Sequence, residues 1–490
     1  MLAFLWIIAM KRSVTAFMCL LALAVFGQDK RQRTSYTLLE GSYFVDDCLI
    51  CGRPTIEQPL RGTFDLVLRQ YTPPYIGYAI ENIGFFTEGP WLKRDISGQG
   101  TYVRFEEFAR LQDMTLAVKV SDQYTNRLAY FTNQTRVATN PFPLIRAHLM
   151  ETNGTLLQTF SMELSAAPVR EIWFSTLRSF TSTNRNTPTN KISAGDLLSN
   201  HGRVVKRNID LVGRLGVMPS VPDLGLDAVD ITRRGEIFFS IPVNVFSETL
   251  GPIQHGDLLS NRGAIVRRNQ DLLAAFKPAS TADAGLDAVQ MMPDGEILFS
   301  IQSNVVVNST LTLGRGDILS DRGRVYMTQR QLLANFQPAI TNHDFGLDAL
   351  YVFPSGEIWF SVEESFTDQQ LGSIQAGDLL SNNGYIVLRN KSLLTEFSPS
   401  DPTQDYGLDV LFVVTDTQPS RPCPRIIGQT SSGNRVHLEW DGDGEVFQVE
   451  HAPSPAGPWL PCTEIVADLS CDVDADTTAD TAHFYRLRQW

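Results

Sequence analysis

Eight aspartates stand at matched positions of a four-fold pattern, and they are the residues of this chain best placed to do chemistry. Asp196, Asp257, Asp317 and Asp378 each follow a glycine, while Asp227, Asp287, Asp348 and Asp409 each end a Gly-Leu-Asp phrase. Carboxylates repeated around a ring suit calcium, which takes about six to eight oxygens from carboxylates, carbonyls and water. The same residue at a strand start also accepts hydrogen bonds from turn amides. A turn needed in every repeat calls for the same brace each time, so a structural brace is the favoured reading and calcium the alternative.

Other chemistry is hard to find. The histidines form neither a His-x-x-x-His nor a His-Glu-x-x-His spacing, which zinc hydrolysis would require, and there is no phosphate loop. No Gly-x-Ser-x-Gly elbow is present. A glycosidase needs one specific unequal pair of carboxylates, and these carboxylates recur once per repeat. Asp472-Val-Asp-Ala-Asp476 with Asp480 has the spacing of an EF-hand start but lacks its glycine and its final glutamate, so it reads as an acidic surface loop. Trp173 and Trp359 share a repeat position with Phe238 and Leu298. Interchangeable bulky groups point to packing rather than to a carbohydrate platform.

The elements that position the aspartates follow from the repeat. Glu171-Ile-Trp-Phe-Ser175 recurs as Glu236-Ile-Phe-Phe-Ser240, Glu296-Ile-Leu-Phe-Ser300 and Glu357-Ile-Trp-Phe-Ser361, at offsets of 65, 60 and 61 residues. Pro293-Asp-Gly295 separates two apolar runs as a tight hairpin turn, and Asn261-Arg-Gly263 separates a second pair. Leu272, Leu273 and Phe276 before Pro278 predict one or two helical turns. Four short strands in each repeat of this length are the pattern of a β-propeller blade. The first copy lacks a Gly-Leu-Asp strand before it and the last lacks a Glu-Ile strand after it. Pairing 408–414 with 171–175 would complete a ring and remove exposed edges. The expectation is four blades over 171–415, with five as the alternative.

Around this array the chain is all-β. Met10-Lys-Arg12 and the apolar run Val14 to Phe26 read as a signal peptide over 1–27, cleaved after Gly27. No later apolar run has membrane length, so the mature chain is expected to be exported without a membrane span. With Lys11 and Arg12 removed, 39 basic residues face 54 acidic ones, a balance of −15 that opposes nucleic-acid binding. Residues 36–167 predict a separate β-sandwich, with Asn153-Gly154 as a hairpin turn. Cys48 and Cys51 are half of a zinc ribbon whose other half is missing, and in an exported chain they predict a local disulfide. Cys462 and Cys471 are candidates to bridge two neighbouring strands, with Cys423 unassigned.

Residues 416–424, rich in proline, read as a linker. Beyond it, Val436-His-Leu-Glu-Trp440, Val446-Phe-Gln-Val-Glu450, Gly457-Pro-Trp459 and Phe484-Tyr-Arg-Leu-Arg488 give 425–490 a pattern that resembles a fibronectin type III or related immunoglobulin-like module. The resemblance implies that Trp440 and Tyr485 are core residues. The overall design resembles multidomain exported proteins of bacteria. The expected function is non-enzymatic binding, adhesion or scaffolding, with an extracellular protein or glycan as partner. The alternative is a carbohydrate-active hydrolase or lyase with its site in the central funnel.

Overall fold

The computed structural model describes residues 33–490 apart from 90–91, 107–109, 185–189, 220–222, 417–421, 433–434, 456–458 and 475–483. The expected signal peptide and the second half of the Asp472–Asp480 loop lie outside the described residues. The fold is predominantly β, and the chain divides into two compact units, one ending at Ala167 and one starting at Pro168.

The first unit is one closed antiparallel sheet rather than the expected sandwich. Its strands are β1 (Arg33–Leu38), β2 (Tyr43–Asp47), β3 (Ile56–Thr72), β4 (Tyr75–Thr87), β5 (Asp95–Glu106), β6 (Arg110–Ser121), β7 (Asn126–Asn133), β8 (Ile145–Glu151) and β9 (Thr159–Ala167). From β3 to β9 each strand pairs with the next. The seam between β3 and β9 is filled by β1 and then β2, each of which pairs with both neighbours. The sheet has therefore rolled up until its edges meet, which removes them. Alternating burial, as along β6, puts Met114, Leu116, Val118 and Val120 into a single interior cluster with Phe44, Phe131 and Leu149. A barrel and a sandwich share this alternation, so the pattern of apolar residues did not separate them.

The second unit opens with the repeat, which builds a ring of four four-stranded sheets. In the second sheet the order from the inside is Ala228–Thr232, Glu236–Ser240, Leu258–Ser260, Ala264–Arg267. The third and fourth sheets start from Val289–Met291 and Ala349–Val352. The first sheet joins the two ends of the array. Glu171–Phe174 pairs with Leu411–Val414, Glu171 opposite Val414 and Phe174 opposite Leu411. The four innermost strands each abut those of two neighbouring sheets. A short helix follows each outermost strand, at Asn208–Val212, Asn269–Leu273, Gln329–Leu332 and Asn390–Leu393.

The repeated phrases hold these sheets together from within and between. Inside each sheet the glutamate of Glu-Ile accepts a hydrogen bond from the serine of the third strand, as from Ser260 to Glu236 (2.5 Å) and from Ser381 to Glu357 (2.6 Å). Between sheets the serine that ends the Glu-Ile strand donates to the leucine carbonyl of the next Gly-Leu-Asp. The four bonds are Ser175 to Leu226 (3.3 Å), Ser240 to Leu286 (2.8 Å), Ser300 to Leu347 (3.1 Å) and Ser361 to Leu408 (2.7 Å). Trp173 and Trp359 are fully buried in the same packing.

The last segment forms two three-stranded sheets, Arg425–Ser432, Arg435–Asp441 and Ser470–Asp474 against Leu460–Pro461, Phe447–Ala452 and Phe484–Gln489. They share a core around Trp440, Phe447 and Val449, against which Tyr485 packs. This segment is not tethered loosely. The side chain of Asp416, at the start of the expected linker, is buried and accepts from Arg170 (2.8 Å), Arg488 (2.6 Å) and the indole N–H of Trp490 (2.7 Å). Lys206 pairs with Asp468 at 2.8 Å, and Arg234 donates its backbone N–H to Gly444 at 2.8 Å. At Gly235 (φ +65°) an added Cβ would lie 1.5 Å from the Ala467 carbonyl oxygen, so the two parts meet backbone to backbone. Arg234 and Gly235 follow Ala228–Thr232, at the end of that strand remote from Asp227.

Candidate functional site

The eight repeated aspartates separate into two sets. Asp196, Asp257, Asp317 and Asp378 are turn braces. Asp378 is representative: it accepts from the backbone N–H of Gln375 (3.0 Å) and of Asn390 (3.1 Å) and from the Arg389 guanidinium (2.6 Å). One carboxylate thus ties a turn to the following short helix. Asp196 repeats all three contacts through Ser193, Asn208 and Arg207. Asp257 takes the turn and arginine contacts through Gln254 and Arg268. Asp317 has its backbone donors Gly314 and Gln329, with Thr328 where the other repeats carry arginine.

Asp227, Asp287, Asp348 and Asp409 converge on the ring axis. Each stands just before an innermost strand, and each backbone N–H donates to the serine carbonyl of the adjacent strand, at 3.2 to 3.4 Å. The preceding glycines, Gly225, Gly285, Gly346 and Gly407, all have φ between +71° and +79°. That turn aims the chain inward, and a Cβ there would strain it. All four aspartates are at most 6% exposed. Their charges act on one another: Asp227 and Asp348 on Asp287, Asp409 on Asp348, and Asp227 and Asp287 on Asp409.

Two further side chains join them. Glu363 is in hydrogen-bond contact with Asp287, and Gln302 donates to Asp227. Both stand two residues after the serine of a Glu-Ile phrase, a position held by Leu177 and Pro242 in the other copies. The repeat did not mark this column because its residue changes from copy to copy. Arg315 pairs with Glu363 at 2.6 Å and also reaches Glu364.

Burial and mutual repulsion raise every carboxyl group here. Asp227 is pushed up to about 7, by desolvation first and the Glu363 charge second, against the bond from Gln302. Asp287, Asp348 and Asp409 are raised well above the ordinary carboxylate range, again by burial first and by neighbouring carboxylates second. Beyond the contact between Asp287 and Glu363, no donor meets Asp287 Oδ2, Asp348 Oδ2 or Glu363 Oε1, and the same holds for Oδ1 of the bracing Asp257. Among the described residues, no three His, Cys, Asp or Glu side chains are gathered closely enough to enclose a metal ion by themselves.

The cysteines divide as well. Cys48 and Cys51 form a disulfide. Cys462 and Cys471 are separate thiols, not the expected bridge. The reason is their placement. Cys471 lies on the strand paired with Leu438, and Cys462 follows Leu460–Pro461 and bonds to the Val449 carbonyl, so the two sit on facing sheets rather than on neighbouring strands. Burial pushes both thiols up to about 11. Cys423 is an exposed thiol. Asp472 pairs with His437 at 2.8 Å on the surface.

No family model matches the chain, and no curated protein matches it. A solved structure, the extracellular domain of a one-component system from B. thetaiotaomicron, is similar at 10% identity over 87% of this chain and 73% of that one, with a TM-score of 0.17. Among the described residues no helix is long and apolar enough to cross a membrane.

Proposed function

We propose that this is an exported, non-enzymatic binding or scaffold protein built on a four-bladed β-propeller, with a barrel before it and a fibronectin III-like or immunoglobulin-like module fixed to it. One observation carries the reading: the repeated polar residues are engaged in holding the ring. The Glu-Ile glutamates bond to serines, the Gly-Asp aspartates bond to turns, and the phrase-ending serines join neighbouring sheets. What remains is the axial group, in which Asp287 and Glu363 touch. A retaining glycosidase holds its two carboxyls about 5 Å apart and an inverting one further still, with substrate or water between them. Export is supported by the Cys48–Cys51 disulfide, a bond that persists in oxidising compartments. The ligand class is extracellular protein or glycan.

A second reading, a carbohydrate-active enzyme working in the funnel, is favoured by Asp227, whose raised value of about 7 is that of a general acid. Binding of the mature chain to a glycan and protein array, with hydrolysis assayed on each ligand that binds, separates the two. Binding without turnover is expected. Turnover of any glycan that is lost in Asp227→Asn establishes the second reading.

A further inference from the structure

The first unit carries an inference that does not depend on what the ring binds. In its barrel the loops between β2 and β3, β4 and β5, β6 and β7, and β8 and β9 all lie at one end, the end remote from Ala167. Three of these loops hold large apolar side chains out into solvent. Leu49 and Ile50 follow β2, and Leu156 and Leu157 precede β9; all four are 60–65% exposed. Tyr124, between β6 and β7, is 78% exposed. Single exposed apolar side chains are ordinary on a protein surface, whereas a cluster of them marks a contact site. The three loops adjoin one another. The Leu49 N–H donates to the Leu156 carbonyl at 2.9 Å, and Arg127, at the start of β7, reaches Gln158 (3.3 Å) and Glu151. The Cys48–Cys51 disulfide closes the first turn around Leu49 and Ile50, which keeps that turn from folding back.

We propose that this end of the barrel docks on a lipid bilayer, sinking the side chains of Leu49, Ile50, Leu156 and Leu157 into the boundary between headgroups and acyl chains. Tyr124 then stands at headgroup level, where tyrosine is enriched. Three observations favour a bilayer over a protein partner. The apolar groups are aliphatic and stand on loop turns, whereas protein interfaces draw their affinity from Trp, Tyr and Arg anchors seated in pockets and under-use Leu. The turns also have their backbone amides paired. Leu49 donates to Leu156, Tyr124 to the Asp122 carboxylate (2.7 Å), and Thr155 and Gln158 to each other's carbonyls (2.8 and 3.2 Å). Turns paired in this way leave water at little cost, which unpaired ones do not. Charge is the third. Arg53 and Arg94 are both engaged by Asp46 and Arg127 by Glu151, and the described residues of these loops contain no basic cluster. The surface therefore complements a zwitterionic lipid face and not an anionic one, which recruits polybasic segments. The four aliphatic side chains together carry about as many carbons as one myristoyl chain, which binds reversibly with a constant of about 10⁴ M⁻¹, so the attachment is reversible.

Flotation of the mature chain with phosphatidylcholine vesicles tests this, with mixed phosphatidylcholine and phosphatidylglycerol vesicles alongside. More than half of the protein is expected to float at about 1 mM accessible lipid, and equally at about 0.1 M and 0.5 M salt. Leu49→Ser/Ile50→Ser and Leu156→Ser/Leu157→Ser should each lower the partition constant about tenfold or more, and the four changes together should abolish flotation. The replaced side chains are exposed, so each variant should melt within about 2 °C of wild type, which separates lost docking from lost folding. No flotation of wild type overturns the proposal, as does undiminished flotation of the fourfold variant. Binding confined to the phosphatidylglycerol vesicles and removed by salt also overturns it, since charge would then be the cause. So does self-association in analytical ultracentrifugation that the tip substitutions abolish while wild type ignores vesicles, which would assign the tips to a second copy of this chain.

Discussion

Replacing Asp416 by asparagine tests how firmly the terminal module is fixed to the ring. The side chain is nearly buried and holds Arg170, Arg488 and Trp490 together, with Arg170 and Arg488 stacked over the Trp490 ring at 5.2 and 4.9 Å. Burial alone would raise its pKa, but the two guanidinium groups outweigh burial and hold it at about 2. Against an ordinary value of about 3.8, that depression corresponds to about 2 kcal/mol. Asparagine keeps the shape but removes the carboxylate that Arg170 and Arg488 share, leaving Arg488 only the more distant Glu450 at 4.0 Å, and breaking a buried pair costs about 3–5 kcal/mol. A loss of about 2–4 kcal/mol is therefore expected in urea unfolding followed by tryptophan fluorescence, in which Trp490 is itself a reporter. The pH dependence has a definite sign. A depressed carboxyl stabilises the fold above its unfolded value, so the wild-type advantage is full above about pH 4 and fades as pH falls through about 2. A variant within about 0.5 kcal/mol of wild type at pH 7, or one whose deficit does not shrink in acid, would falsify the anchoring argument.

Three further outcomes are expected. Ser300→Ala removes one bond between neighbouring sheets and should cost about 1 kcal/mol in urea unfolding; no change would mean that the seam is held by packing alone. The ring should lose stability as pH rises from about 4 through about 7, because Asp227 is raised in the folded state and its stabilising proton leaves over that window. For Asp227 the loss is on the order of 4 kcal/mol, and Asp227→Asn should make the fall in melting temperature between pH 4 and 7 shallower, with the remaining raised carboxyls still contributing. Mild oxidation should leave Cys462 and Cys471 as thiols, since burial keeps both protonated near neutral pH; mass-spectrometric detection of a Cys462–Cys471 disulfide would contradict this.

Much of the ring was legible because its information is local and written four times. A hairpin needs only a turn glycine and two apolar runs, and the unmatched phrases at the two ends of the array specify the pairing of Glu171–Phe174 with Leu411–Val414. Three things were not legible. Closure of the first unit depends on whether β1 and β2 can fill the gap between β3 and β9, a matter of strand length and register rather than of alternation. The two aspartate sets look equivalent in sequence, and only the left-handed glycine turn and the convergence of four separate strands send one set to the axis. Asp416 sits beside prolines and reads as linker because its partners, Arg170 and Trp490, are 246 and 74 residues away.

The joining of the first and last strands also constrains how the chain is made. Glu171–Phe174 leaves the ribosome some 240 residues before the strand that completes its sheet. Until residue 414 arrives, its outer neighbour Leu197–Ser199 can pair with it, but its inner edge stands open. An open, apolar edge is a place where a second chain can add. The interval is one in which a chaperone or rapid passage to its destination protects the nascent protein. Slowing synthesis between 240 and 410 should therefore favour chains joined edge to edge through Glu171–Phe174, whereas the first unit, whose pairings all lie within 33–167, is complete before the vulnerable interval begins.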